Sequence, residues 1–238
     1  MSEHVLLNHH DHLDVKILSH HSPELEEKTN FTMVFPIEFR DIQSQYPIFF
    51  QKNTETGAFY PIALFGLEPG ENLFLSDRGW DASYIPLMIQ KQPFFIGLKH
   101  DESAEDGRSM VVTMDPSSPR ISTVDGESLF NADGSATEFL NEKMSVLEHV
   151  HQGHEHSDEF VQALSEHSLL EQFVLELTME DGSTNQMLGF YTVKEESVQA
   201  LSGDVLADFS AKGFLMPLFM VLASHANVRA LIQKKTGV

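Results

Sequence analysis

The chain of 238 residues contains no cysteine. It therefore has no disulfide framework, no cysteine-ligated zinc or iron–sulfur cluster and no thiol nucleophile. Tryptophan occurs once and phenylalanine 18 times, so we expect a hydrophobic core built on Phe, Leu, Val and Met. Hydrophobic residues make up 41% of the chain and charged residues 21%, which is typical of globular proteins. The composition thus predicts a chain that folds around a core.

Basic residues are scarce. The chain has 15 Lys and Arg against 36 Asp and Glu, which gives a net charge of −21. A surface this acidic repels nucleic-acid phosphates and anionic membranes. We therefore predict no nucleic-acid partner. The 13 histidines are the groups that titrate near neutral pH, so the acidic self-repulsion weakens as the pH falls.

Long hydrophobic runs are also missing. The longest, GFLMPLFMVLA at 213–223, is shorter than a bilayer span and contains Pro217. The N-terminal MSEHVLLNHHDHLDV has neither the basic n-region nor the apolar h-region of a secretory signal. We expect a cytoplasmic protein without membrane insertion.

The pattern of apolar residues predicts an α+β fold. Residues 1–30 are polar and His-rich and are expected to form an arm, followed by a single domain at 31–238. Within it, 31–134 is β-rich with antiparallel strands, and 135–238 is helix-rich, with helices packed with a β-hairpin.

Several elements can be predicted individually. YPIFFQKN and AFYPIALFGL, separated by TETG, are typical of a hairpin, as are the alternating runs around Asp181-Gly182. Helical spacing from Thr137 to Val150 predicts a helix that ends before a Gly153-centred loop, and Ser157 is expected to cap the next helix. A last helix is expected over 214–234.

A histidine-rich stretch, HVHQGHEHSDEF at 149–160, is the strongest chemical signal. Imidazole and carboxylate groups bind divalent transition metals. The candidate ligands are His149, His151, His154, His156 and Asp158. The alternative interpretation is a solvated loop between two helices, which needs no metal.

Two named motifs overlap this stretch. His149-x-His151 followed by Glu155 matches part of a cupin motif, but Lys143 and Gln162 stand where its glycines belong. His156-x-Asp158, with a distant His225, matches a two-His-one-carboxylate iron site. His225 also lies on the apolar stripe of the last helix, which favours a packed core histidine. No GxSxG, P-loop or GxGxxG sequence occurs.

A second candidate is a recognition surface in GWDASY. Trp80 and Tyr84 flank Asp81 in a turn after Gly79, and aromatic rings near acids suit sugars, cations or a partner protein. A lone Trp is more often a core residue, so both interpretations stay open.

Five segments together resemble the SapC-like family of bacterial proteins. They are HLDV (12–15), PIEFRDIQSQYPIFF (36–50), YPIALFGLEPGENLFL (60–75), GWDASYIPLMIQKQPFF (79–95) and MLGFYTVKEESVQALSG (187–203). The resemblance covers roughly residues 10–232. It implies a connection with a paracrystalline bacterial surface layer and carries no catalytic signature.

These observations lead to two functional hypotheses. The first is a non-enzymatic cytoplasmic accessory protein that binds a protein partner and needs no cofactor. The second is a metal-binding protein, or a metal-dependent enzyme of the non-haem iron type, that uses the histidines of 149–156.

Overall fold

The computed structural model describes residues 4–100, 107–178 and 184–237. Contacts within the chain divide it into two compact units. The first unit comprises Met1–Glu27, Leu75–Asp81 and Leu87–His151. The second unit comprises Lys28–Phe74, Ala82–Pro86 and Gln152–Val238. The expected division into an arm at 1–30 and a domain at 31–238 stays a prediction.

The described elements confirm an α+β fold. In chain order the strands are β1 (Val5–Leu6), β2 (Lys16–Ile17), β3 (Phe31–Met33), β4 (Ile48–Lys52), β5 (Phe59–Leu64), β6 (Leu75–Ser76), β7 (Gly79–Trp80), β8 (Phe94–His100), β9 (Arg108–Met114), β10 (Ile121–Ser122), β11 (Glu127–Ser128), β12 (Leu170–Thr178) and β13 (Thr184–Val193). The helices are α1 (His9–His12), α2 (Phe39–Ile42), α3 (Leu87–Gln90), α4 (Glu138–Glu166), α5 (Glu195–Gln199), α6 (Gly203–Ala211), α7 (Leu215–Ser224) and α8 (Asn227–Thr236), with a 3-10 turn at Pro36–Glu38.

The first unit contains small antiparallel sheets. Strand β9 lies between β1 and β8, strand β2 lies between β10 and β11, and β6 pairs with β7. Six buried apolar residues form its core: Ile17, Phe94, Met114, Leu129, Leu140 and Leu147. Within the polar stretch 1–30, β1 and β2 pair with strands of these sheets, and Val5 and Ile17 contribute apolar side chains to the core.

The second unit is built on a five-stranded antiparallel sheet in the order β12-β13-β4-β5-β3. Both predicted hairpins are confirmed as β4–β5 and β12–β13. The predicted turn at Asp181-Gly182 lies outside the described residues. The helices α5 to α8 follow the sheet in the chain, and α6 was not predicted.

Aromatic side chains fill the interior of the second unit, as the composition predicts. Fully buried members are Phe35, Phe39, Tyr46, Phe49, Phe50, Phe65, Phe160 and Phe209. Some of their rings pack edge to face, as between Phe39 and Phe160, whose centroids are 6.2 Å apart, and others are tilted, as between Phe50 and Phe160.

The expected loop at 149–156 and the expected cap at Ser157 are wrong. Helix α4 continues from Glu138 to Glu166, because buried residues recur at helical spacing through Val150, Gly153, Ser157 and Phe160. A Cβ added to Gly153 would lie 2.7 Å from Cγ of Phe35. The glycine therefore marks a close approach between the helix and this ring and does not break the helix.

The last predicted helix is two helices. It ends as α7 at Ser224 and begins again as α8 at Asn227. Ser224 is completely buried, and its Oγ accepts a hydrogen bond from the Ile48 amide at 2.8 Å. This contact with β4 fixes the chain where the two helices meet.

Together α7 and α8 form a candidate membrane span. Over Leu215–Thr236 an 18-residue window reaches a mean hydropathy of 1.5, and 22% of it is buried. This length and composition also occur in core helices. The expected absence of membrane insertion therefore stays a prediction.

Replacement of Gly153 by Ala tests the contact with Phe35. Alanine improves helix propensity by about 1 kcal/mol, but overpacking against Phe35 costs about 1–3 kcal/mol. We expect Gly153→Ala to lower the free energy of unfolding, measured by urea denaturation. Gly203→Ala is the control, because nothing lies within 4 Å of the added Cβ. Equal stability of the two variants would contradict the close approach.

Candidate functional site

The five predicted metal ligands all lie on helix α4. Residues of an α-helix are rotated by about 100° from one to the next. His149 and His156 therefore share one face, and His151, His154 and Asp158 lie on the opposite face. His149 and His156 are about 10 Å apart along the axis, which is too far for both imidazoles to bind one ion.

On the other face, His154 is one turn away from both His151 and Asp158. Its ring contacts Phe35 edge-on, with centroids 4.8 Å apart. Within the described ranges, no group of three or more His, Asp and Glu side chains is arranged to hold a metal ion. A cupin motif needs its ligands on a barrel strand, and here they lie on a helix. Metal binding at this stretch stays a prediction.

His225 is a packed histidine, as its position on the apolar stripe favours. Its ring is stacked with Phe49 and Phe173 at centroid distances of 5.2 and 6.2 Å. Its Nε2 lies 2.8 Å from Oγ1 of Thr192 on β13. Burial lowers the pKa of His225, and Glu195 partly offsets this. The side chain therefore holds the α7–α8 junction against the sheet.

The predicted recognition residues are divided between the two units. Trp80 and Asp81 belong to the first unit and Tyr84 to the second. Trp80 lies on β7 and faces the His21 ring edge-on, with centroids 5.8 Å apart. Neither unit contains the whole predicted surface.

Tyr84 is hydrogen-bonded within the second unit and holds the segment Ala82–Pro86 in place. Its hydroxyl donates to Oε2 of Glu38 at 2.9 Å, and the Tyr46 hydroxyl donates to the Tyr84 carbonyl at 2.6 Å. Glu38 is only 3% exposed and also accepts from the Phe35 amide at 3.1 Å. Burial, and the neighbouring Glu38 carboxylate, raise the pKa of Tyr84. The tyrosine is therefore a neutral donor that holds a buried acid.

The sequence pattern missed a buried ionic cluster in the first unit. The Arg120 guanidinium contacts Glu26 and donates to the carbonyls of Leu18 and His20 at 2.8 and 2.9 Å. His21 Nδ1 lies 2.5 Å from Oε1 of Glu26. Both charged side chains are 3% exposed, and Glu26 Oε2 and Arg120 Nε lack a hydrogen-bond partner. Arg120 thus binds segment 18–26 to strand β10.

The sequence feature that points to this cluster is the small number of arginines. Arg120 is one of five arginines in a strongly acidic chain, and a rare guanidinium among acids is well suited to bind a buried carboxylate. Its partner Glu26 lies among several acids in PELEEK, and spacing does not single it out.

Two partly desolvated lysines belong to the same unit. Lys91 Nζ lies 3.6 Å from the centroid of Phe95, and burial lowers the pKa of Lys91 to about 8, with Glu27 partly offsetting it. Lys143 Nζ donates to the Gln90 carbonyl at 2.6 Å. Burial and then Arg120 lower the pKa of Lys143. Both cations are held by packing contacts.

The described part of the second unit includes a helical cleft and a sheet cleft on its surface. The helical cleft has a volume of about 370 Å³ and is lined by Pro36, Ile37, Gln152, His156, Gly213 and Pro217. The sheet cleft has a volume of about 400 Å³ and is lined by Asn30, Phe31, Leu67, Glu68, Pro69, Gln186, Leu188 and Phe190. The helical cleft contains one of the predicted histidines, His156, as a wall residue.

Comparison with known proteins gives one match. The family model SapC matches residues 7–231 of the chain. The chain belongs to the SapC family. No curated protein and no solved structure gives a significant match. The resemblance of the five segments is thereby confirmed, and SapC membership extends over both units.

Removal of the Arg120 charge tests the buried cluster of this SapC protein. Arg120→Met leaves the Glu26 carboxylate buried without its cation, which we expect to cost about 3 kcal/mol or more of unfolding free energy. Arg78→Met is the control, because Arg78 is exposed. Adding Glu26→Gln should recover part of the loss in urea denaturation. Similar losses of unfolding free energy for Arg120→Met and Arg78→Met would contradict a stabilising role of the buried cluster.

The lowered pKa of His225 predicts a pH dependence of stability. Below the ordinary value of 6.5, the unfolded chain binds the proton more readily than the folded one. The stability contribution is therefore present above this value and is lost as the pH falls through the folded pKa. We expect the unfolding free energy of the wild type to fall more steeply between about pH 7.5 and about pH 5 than that of His225→Gln. If the unfolding free energy of His225→Gln falls with pH as steeply as that of the wild type, the prediction is wrong. His149→Gln is the control, because His149 is exposed.

Proposed function

We propose that this SapC-family chain is a non-enzymatic accessory protein that acts in the cytoplasm by binding a protein partner. We further propose that this role is connected with the bacterial surface layer that the family name implies. The proposed activity needs no resident cofactor. Family membership supports the proposal, and so does the helical cleft.

The helical cleft is the observation that carries this proposal. Ile37 in its wall is 43% exposed, and Met216, next to the wall residue Pro217, is 55% exposed. Grouped exposed apolar side chains mark sites at which another protein binds.

The contacts of the buried polar groups also favour binding over catalysis. Glu38 holds Tyr84, His225 holds the α7–α8 junction, and Arg120 holds segment 18–26. These side chains are fixed by the packing of loops and turns, so their perturbed environments have a structural explanation.

Capture of partners from a native bacterial lysate tests the proposal. We expect untagged wild-type protein, coupled through its lysines, to retain a specific partner. Ile37→Ser should lower the retained amount about fivefold or more, because apolar contact area is lost. Leu13→Ser is the matched control, since Leu13 in the first unit is also 43% exposed.

Two results would contradict the proposal. One is equal retention by Ile37→Ser and the wild type, with circular dichroism showing that both are folded. The other is a stoichiometric transition metal in the purified protein that disappears when His151 and His154 are changed to Ala, because it would favour the metal-dependent hypothesis.

A further inference from the structure

The walls of the helical cleft differ in character. Pro36, Ile37 and Pro217 supply apolar surface from the 3-10 turn and α7. Gln152 and His156 supply polar side chains from α4. An occupant that contacts both walls needs an apolar side and a polar side, as an amphipathic helix has when it binds in a groove.

The α4 wall continues in acidic residues. Gln152, Glu155, His156 and Glu159 lie within one 100° arc of the helix, and all four are exposed. Glu159 lies directly in the row of the two wall residues, one turn beyond His156. The polar side of the cleft is therefore bordered by carboxylates.

A cation next to this wall is already paired with an acid of its own helix. Lys212 precedes the wall residue Gly213, and its Nζ contacts Asp208 at 2.8 Å. The hydrogen bond that Lys212 donates to Asp208 raises the pKa of Lys212, and Glu166 and Glu159 add to this. Glu159 therefore lies near this end of the cleft, where Lys212 has the three acids Asp208, Glu159 and Glu166 around it.

We infer that the helical cleft binds a basic amphipathic helix of a partner protein, with apolar side chains against Ile37 and Pro217 and Lys or Arg side chains toward Glu155 and Glu159. This inference rests on the proposed function and names the chemistry of the partner. The charge of the cleft border selects this occupant over others. A second copy of the chain carries the same charge of −21 and is repelled, as is an anionic membrane.

The test uses three synthetic peptides of about 14 residues, long enough to form a helix on binding. The first is an amphipathic Leu/Lys peptide, the second has Glu in place of Lys, and the third has the first composition in scrambled order. Binding to the full chain is measured by fluorescence anisotropy. We expect only the first peptide to bind tightly, with affinity falling as NaCl rises from about 0.05 M to about 0.5 M.

Charge reversal locates the binding site. Glu155→Lys with Glu159→Lys should weaken binding of the Leu/Lys peptide about tenfold or more. Glu138→Lys with Glu142→Lys is the matched control, because these exposed acids have the same spacing on α4 and give the same change in net charge. Circular dichroism and thermal unfolding show whether each variant is folded.

Equal weakening by both pairs of substitutions would overturn the inference, since it would show attraction to the overall charge. Binding of the Glu peptide would do the same. So would binding of the wild type to phosphatidylglycerol vesicles that Ile37→Ser abolishes, or a dimer in analytical ultracentrifugation that Ile37→Ser abolishes. If a lysate partner is lost with Ile37→Ser but unaffected by Glu155→Lys with Glu159→Lys, the proposed function stands and this inference fails.

Discussion

Helix α4 can pass Phe35 because residue 153 has no side chain. A Cβ at residue 153 would lie only 2.7 Å from Cγ of Phe35, so glycine allows the helix to pass this close to the ring. Gly153 is buried, as is Ser157 one turn later, so two small residues make the helix face that packs closely. The position of the helical cleft depends on this contact, because Gln152 and His156 flank Gly153 on the same helix.

The same contact decides what the histidines can do. In a loop, four imidazoles and a carboxylate could converge on one ion. On a helix, their directions are set by the 100° rotation per residue, and they separate onto two faces. His154 then packs against Phe35, and His156 becomes part of a cleft wall. A stretch that resembles a metal site is thus a segment of a long helix, with its histidines on two faces.

In both units, buried polar groups hold loops and turns in place through hydrogen bonds. Glu38 accepts from Tyr84 and from a backbone amide, and His225 is hydrogen-bonded to Thr192 and stacks with Phe49. Arg120 reaches two carbonyls and a carboxylate from a distant part of the chain. Burial removes each of these side chains from water, and this desolvation is offset only when the hydrogen-bond or ionic partners are in place.

The sequence by itself determined the α+β class, the phenylalanine-rich core and the hairpins β4–β5 and β12–β13, because alternation and turn residues are local signals. The five quoted segments also identified the SapC family. Only the tertiary structure decided that α4 is continuous, since Gly153 in isolation favours a break and the ring that requires glycine lies more than 100 residues earlier. It likewise decided that Arg120 pairs with Glu26 and that α7 ends at Ser224. These features depend on contacts between residues far apart in the chain, and no spacing within a single segment encodes them.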